Sequence, residues 1–147
     1  MLENLFSIAG AMAMAGWAGL ILLPGQKFIV EVVARIIIPV AIAVLYAFLM
    51  LSNIGSAPAD SGFGSLAAVK SLFSVDALIL AGWVHYLAFD LFVGSWEVSD
   101  ARSEGIHHLL VIPCLLLTFM AGPAGLAVYC LIKYGRRLIL RPASTPA

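Results

Sequence analysis

Two ionisable residues inside a long apolar stretch are the strongest candidates for chemistry in this sequence. They are His85 and Asp90, which lie within residues 81–93. Ionisable groups at bilayer depth are costly, so they usually face protein or a wet cavity and often serve function. A carboxylic acid in a dry pocket can donate a proton near neutral pH. We therefore predict Asp90 and His85 as catalytic residues of an acid/base site.

The acidic residues around this stretch follow one face of the predicted helix. The seven-residue spacing joins Asp76, Trp83, Asp90 and Glu97, and Asp100 and Glu104 extend the series. A seven-residue repeat drifts by only about 20° per step on an α-helix. His85 falls roughly 140° away from Asp90, so the helix has two polar faces. Because both faces cannot point at lipid, we expect this helix to be central in its bundle.

Other interpretations of the same residues remain open. The spacing lacks the Glu-x-x-His pairs of carboxylate-bridged bundles, and adjacent His107 and His108 cannot share one helical face, so no metal site is predicted. The sequence also lacks a phosphate loop or dinucleotide fingerprint, so no cofactor is expected. Asp90 and His85 could simply hydrogen-bond neighbouring helices. They could also relay protons or ions in a small transporter, although four spans without an internal repeat lack its usual paired halves.

The composition is that of an integral membrane protein. The chain has 147 residues, of which 63% are hydrophobic and 11% charged, and its mean hydropathy is +1.06. A soluble domain is about half apolar and a quarter charged. We expect one membrane domain over residues 1–147, with membrane lipid as its surroundings. The net charge of zero argues against nucleic acid as a partner, since phosphates need a basic surface.

Four apolar runs are long enough to cross a bilayer as helices. We predict spans at about 5–23, 28–51, 75–93 and 108–133, a loop at 52–74 and a basic tail at 134–147. The loop contains an amphipathic stretch at 66–73, which could anchor the chain at the interface or act as a lid. The predicted fold is all-α, an integral membrane four-helix bundle with a short interfacial amphipathic helix before the third span.

Three local features refine the spans. Glu31 and Arg35 are four residues apart in the second span, so they are predicted to form a structural ion pair. Pro39 should kink that span, and residues 122–125 (Gly-Pro-Ala-Gly) should break the fourth. The basic residues favour both termini in the cytoplasm, and we expect the bacterial inner membrane.

Several stretches of the chain together resemble a known family. They are residues 83–92 (WVHYLAFDLF), 100–102 (DAR), 108–114 (HLLVIPC) and 122–126 (GPAGL). They resemble the abscisic-acid-deficient-four-like family, small membrane proteins whose plant members are needed to make neoxanthin from violaxanthin. The resemblance covers most of the chain, and the chain looks like a bacterial-type member. It implies a carotenoid or similar long isoprenoid as the ligand.

The resemblance also implies a reaction. In the plant isomerisation an epoxide opens and an adjacent carbon loses a proton, which leaves an allene and a hydroxyl and needs no redox cofactor. Our hypothesis is that Asp90 protonates the oxygen and His85 takes the proton. The predicted substrate-binding residues are Trp83, Tyr86, Phe89, Phe92, Trp96 and His108. The alternative is a non-catalytic module that binds pigment or lipid, as a homodimer or beside a partner enzyme.

Overall fold

The protein is an all-α bundle, as the sequence predicts, in a computed structural model that describes residues 1–140. Its helices are α1 (Leu2–Leu22), a π-helical segment (Phe28–Ile37) continuing into α2 (Ile38–Asn53) and a 3-10 turn (Ile54–Ser56), α3 (Leu66–Leu72), α4 (Asp76–Ser103) and α5 (His108–Leu140). Four helical stretches are long and apolar enough to cross a membrane: Leu2–Leu22, Phe28–Ser56, Asp76–Ser103 and His108–Ile139. The chain is therefore built as an integral membrane protein.

Helix α4 is the centre of the bundle. It contacts α1, the π-helical segment, α2 and α5, whereas α1 and α5 touch only slightly. Half of its membrane-length window is buried, against a third or less in the other three spans. The hydrophobic core lies around this helix, in which Leu91 and Val84 are fully buried. The predicted central position of this helix is confirmed.

The second span changes helix type just before Pro39. In the π-helical segment the backbone bonds reach one residue further back, so the N–H of Ile38 bonds the carbonyl of Val33. Pro39 follows as one of the first residues of α2. Proline has no N–H, and its ring conflicts with the carbonyl four residues earlier in an α-helix. The sequence predicted a kink at Pro39, and the structure shows a widened helical segment before it.

The short helix α3 is amphipathic and packs on the bundle by its C-terminal end. Ser65 caps its first turn by accepting a hydrogen bond from the N–H of Ala68 at 3.1 Å. Leu72 is 3% exposed, whereas Leu66 at the start of the helix is 74% exposed. Its seven residues lie between the second span and α4, where the sequence predicted an amphipathic helix.

The last two helices are longer than the predicted spans. Helix α4 runs to Ser103, and Gly105, with a positive φ of 63°, makes the turn into α5. Helix α5 continues into the predicted basic tail as far as Leu140, because its basic residues have partners at this turn: Arg136 donates to the carbonyl of Gly105 at 3.4 Å. Residues 141–147 of that tail lie outside the described part of the chain.

Candidate functional site

Three acidic residues of α4 and the one that follows its last turn face α5. They are Asp90, Glu97, Asp100 and Glu104, and we call them the acidic face. Asp76, at the start of the predicted series, lies instead beside α1. The seven-residue spacing predicted that they share one side of the helix and meet a neighbour. The two halves of this face differ in charge: the half near the end of α4 meets basic residues, whereas the half in the middle of α4 forms no ion pair among residues 1–140.

The outer half of the acidic face is a charge-balanced cluster. Lys133 donates to both oxygens of Asp100 at 2.7 and 2.8 Å, and Tyr129 donates to Oδ2 at 2.5 Å. Glu104 lies 3.6 Å from Lys133 and accepts hydrogen bonds from Arg137. The hydrogen bonds from Arg137 hold the pKa of Glu104 below its ordinary value. Each charge has a partner, so this half of the face joins α4 to α5.

Helix α5 is broken next to the inner half of the acidic face. Ala121 has non-helical backbone angles, φ −153° and ψ 58°, which confirms the predicted break beside Gly122. Because Pro123 has no N–H, the carbonyl of Phe119 loses its helical partner. The hydroxyl of Tyr86 on α4 donates a hydrogen bond to that carbonyl. A break of this kind is tolerated at membrane depth where protein groups satisfy the freed backbone.

The inner half of the acidic face is partly or fully buried and lacks basic partners among residues 1–140. The carboxyl group of Asp90 lies against Gly122, because a β-carbon added to this glycine would be 2.8 Å from Cγ of Asp90. Glu97 is fully buried, and its Oε1 accepts a hydrogen bond from Thr118 at 2.9 Å. Within residues 1–140, Oδ2 of Asp90 and Oε2 of Glu97 have no hydrogen-bond partner. The seven-residue spacing from Asp90 places Glu97 on the same face of α4, but Glu97 was not among the predicted site residues.

His85 lies in a separate pocket, on the side of α4 that meets α2. Its ring packs against Tyr46 of α2 at 5.4 Å and against Phe89 at 4.6 Å between centroids. The His85 pocket holds about 230 Å³ and is lined by Tyr46, Met50, Phe63, Leu72, Phe73, Leu78, Gly82 and His85. The loop and the end of α3 therefore form part of the wall of this pocket, and His85 itself stays exposed. Tyr46 was missed because it sits in an otherwise apolar span, although a tyrosine hydroxyl there needs a polar partner.

The structure does not bring Asp90 and His85 together. Asp90 contacts α5, and His85 contacts α2, on different faces of α4. The two residues therefore share no pocket in which both could act on the same substrate, as the hypothesis requires. Their angular separation was visible in the sequence, but which face would enclose a cavity was not.

The predicted substrate-binding residues are distributed over the molecule. Trp83 stacks on Phe6 of α1 at 5.7 Å. His108 bonds the carbonyl of Ile21 through Nε2 at 3.1 Å, which ties the start of α5 to the end of α1. The hydroxyl of Tyr86 donates its hydrogen bond to the carbonyl of Phe119 at the break in α5. These three residues have structural partners and do not form one slot.

The remaining three lie along α4 towards its end. Phe89 and Phe92 line a lipid-facing groove between α2 and α4, which we call the Arg35 groove. It holds about 390 Å³ and is lined by Arg35, Ile36, Pro39, Val40, Ala43, Ala88, Phe89 and Phe92. Trp96 packs edge-on against Tyr129 at 5.5 Å and belongs to the charge-balanced cluster. Only Phe89 reaches both the groove and the ring of His85.

The predicted ion pair between Glu31 and Arg35 is wrong. Glu31 pairs with Arg102 of α4 at 3.1 Å. Arg35 donates to Oγ of Ser95 at 3.1 Å, to its carbonyl at 2.8 Å and to Oγ of Ser99 at 2.7 Å. Both side chains reach across to α4, which offers an opposite charge to one and three oxygens to the other. Spacing within a single helix cannot reveal such competing partners.

The fold and these sites define a small integral membrane protein of helical-bundle type with buried carboxyl oxygens and a histidine-lined pocket. Among residues 1–140, no group of three His, Cys, Asp or Glu could hold a metal ion. Residues 4–129 match the model of the ABA DEFICIENT 4-like family, and the chain belongs to that family. The family is linked to a carotenoid-related function. No curated protein and no solved structure matches the chain.

Proposed function

We propose that this protein binds one end group of a carotenoid-like polyene in the His85 pocket and isomerises it by acid/base chemistry. The observation that carries this proposal is the combination of an imidazole and a phenol, His85 and Tyr46, in an otherwise apolar pocket. Pockets for whole drug-sized ligands hold about 300–1,000 Å³. A volume of about 230 Å³ suits one end group, with the polyene chain leaving into the bilayer.

The proposed reaction moves protons only. Tyr46 donates a proton to the epoxide oxygen as its carbon–oxygen bond breaks, and a hydroxyl forms. Neutral His85 takes a proton from the adjacent carbon, and that C–H electron pair becomes the second double bond of the allene. Return of the proton from His85 to Tyr46 resets the site. The centroids of the two rings lie 5.4 Å apart and both residues line the same pocket, so the two groups can act on one end group bound there.

The apolar lining has a chemical role in this proposal. Phe63, Leu72 and Phe73 contribute apolar side chains to the wall of the pocket. An opening epoxide develops positive charge on carbon, and water that reached it would add there to give a diol. An apolar wall from the loop and α3 disfavours water next to this carbon and so favours loss of a proton.

A second candidate function, a proton relay, uses the inner half of the acidic face. It is favoured by the two carboxyl oxygens of Asp90 and Glu97 that have no partner among the described residues, next to the break in α5. Ionisable groups beside broken helices mark proton paths in many transporters. In this candidate Asp90 transfers protons without touching a polyene.

The test is product analysis in bacterial membranes that contain an epoxycarotenoid. Wild-type protein should produce a new isomer of unchanged mass. His85→Phe and Tyr46→Phe should lower turnover by about 100-fold or more, because each removes a proton-transferring group. Tyr134→Phe is the matched control, since Tyr134 is exposed and far along α5, and it should behave as wild type.

The other outcomes each reject part of the proposal. Pigment that co-purifies unchanged would make the protein a binding module. Loss of turnover in Asp90→Asn with full turnover in His85→Phe would return the chemistry to Asp90. Proton flux into liposomes that Asp90→Asn abolishes, without any change of pigment, would favour the relay.

A further inference from the structure

Arg35 is a cation inside a membrane span without an acidic partner. Its three hydrogen bonds all go to uncharged oxygens of Ser95 and Ser99. Among residues 1–140 no carboxylate forms an ion pair with it, because the nearest acid along its helix, Glu31, is engaged by Arg102. A guanidinium stays charged in proteins. Arg35 therefore carries a positive charge that the described protein does not neutralise.

The bonds to α4 leave part of the guanidinium unused. They engage Nε and Nη2, and Nη1 donates to no acceptor in the described part of the chain. The hydrogen bonds of Nε and Nη2 attach the second span to α4. They leave the positive charge without a counter-charge and the two N–H donors of Nη1 without acceptors.

Arg35 stands at one end of a groove that is otherwise apolar. The rest of the Arg35 groove is formed by aliphatic and aromatic side chains and proline. Its walls face outward: Val40 is 55% exposed and Phe89 is 59% exposed. In a membrane protein these surfaces meet acyl chains. The groove thus combines a hydrocarbon-compatible channel with a single positive charge.

The position along the span places Arg35 near the headgroup region. The span Phe28–Ser56 has 29 residues, whereas about 20 helical residues suffice to cross a hydrocarbon core about 30 Å thick. Several residues at each end must lie outside the core. Arg35 is one helical turn deeper than Glu31, whose pair with Arg102 marks the polar end of the bundle.

We propose that Arg35 binds the phosphate of an anionic phospholipid whose acyl chain lies in the Arg35 groove. Arg–phosphate hydrogen bonds supply the missing negative charge and use the free donors. Basic positions between membrane helices are known sites for anionic headgroups. A carotenoid has no anionic group to fill this role, and the stacked His85 and Phe89 separate the groove from the His85 pocket. The proposal therefore stands independently of the proposed reaction.

The experiment compares two lipids with identical acyl chains. Purified protein in detergent receives dioleoyl phosphatidylglycerol or dioleoyl phosphatidylcholine, and bound lipid is counted by native mass spectrometry. Wild type should retain the phosphatidylglycerol preferentially. Arg35→Gln should weaken that retention by about tenfold or more, the usual scale for a lost charged hydrogen bond. Lys27→Gln removes a charge at the same end of the same span and should keep the preference.

A second variant covers the case in which Arg35→Gln fails to fold. Ala43→Phe fills the groove without touching the guanidinium, and it should lower retention of both lipids. Equal retention of the two lipids by wild type would overturn the proposal. So would equal losses in Lys27→Gln and Arg35→Gln, since general surface charge would then explain the preference. Full retention in Ala43→Phe would overturn the placement of the acyl chain.

Discussion

The hydroxyl of Tyr86 donates a hydrogen bond to the carbonyl of Phe119, which Pro123 leaves without its helical N–H. The break in α5 and the group that satisfies it thus lie on different helices. A buried carbonyl without a partner costs about 1–3 kcal/mol. The bond therefore makes the broken form of α5 dependent on its packing against α4.

Removal of this hydroxyl should destabilise the bundle. Tyr86→Phe leaves the Phe119 carbonyl unpaired, and we expect the free energy of unfolding to fall by about 1–2 kcal/mol. Denaturant titration in detergent micelles, followed by circular dichroism, measures the change. Tyr134→Phe, at a tyrosine that is 54% exposed, should change it by less than about 0.5 kcal/mol. Similar losses in both variants would show that the bond to Phe119 contributes nothing.

A methyl group at the contact between α5 and Asp90 should not be tolerated. In Gly122→Ala the added carbon would lie 2.8 Å from Cγ of Asp90, and overpacking of this kind costs about 1–3 kcal/mol. Gly135→Ala meets nothing within 4 Å and should be neutral or stabilising by up to about 1 kcal/mol. Thermal unfolding of both variants measures the contrast. The double variant Gly122→Ala, Asp90→Ala should recover part of the loss, and strict additivity would contradict the proposed clash.

The buried glutamate should tolerate loss of its ionisable group. In Glu97→Gln the carbonyl oxygen still accepts the hydrogen bond from Thr118, and no charge needs burial, so stability should stay within about 1 kcal/mol of wild type. Thr118→Val removes the bond itself and should cost about 1 kcal/mol. Differential scanning fluorimetry gives both values. A loss of 3 kcal/mol or more in Glu97→Gln would instead mean that an ionised carboxylate is required there.

The two basic residues of the outer cluster should differ in importance. The side chains of Lys133 and Asp100 are only 10% and 17% exposed, so Lys133→Met leaves a largely buried carboxylate without its cation, with only the Tyr129 hydroxyl as a partner, and should cost about 2–4 kcal/mol. Arg137 is 53% exposed at its side chain, and Arg137→Gln should cost at most about 1 kcal/mol. Chemical denaturation at low and high salt separates them. Equal costs would contradict the assignment of Asp100–Lys133 as the main link.

The helical architecture could be predicted because its signals are local or periodic. Apolar length identified the four spans, and the seven-residue spacing from Asp90 to Glu97 placed the acidic face towards a neighbouring helix. The break beside Gly122 followed from the chemistry of Pro123. Each of these features depends on one helix at a time, which a sequence shows directly.

The partners across helices could not be predicted in the same way. Arg35 has Glu31 one turn away in sequence, but three oxygens of α4 are better placed for it. His85 and Asp90 were both correctly identified as polar groups in a span, yet only the packing of α2 and α3 decides that His85 has a pocket. Tyr46 enters that pocket from a segment with no polar signal around it. Side-chain partners depend on helix orientation, and one sequence does not determine it.

The contacts of α4 also bear on the order in which the bundle can assemble during synthesis. The N-terminal spans emerge first, but their main packing surface, the buried side of α4, is made last but one, and α5 has few contacts except with α4. The first two spans contact each other, but the surfaces that pack on α4 stay exposed to lipid until residue 103 has been translated. Truncated chains that end before α4 lack the central helix, and quality-control proteases in the membrane would meet them as an incomplete pair of spans.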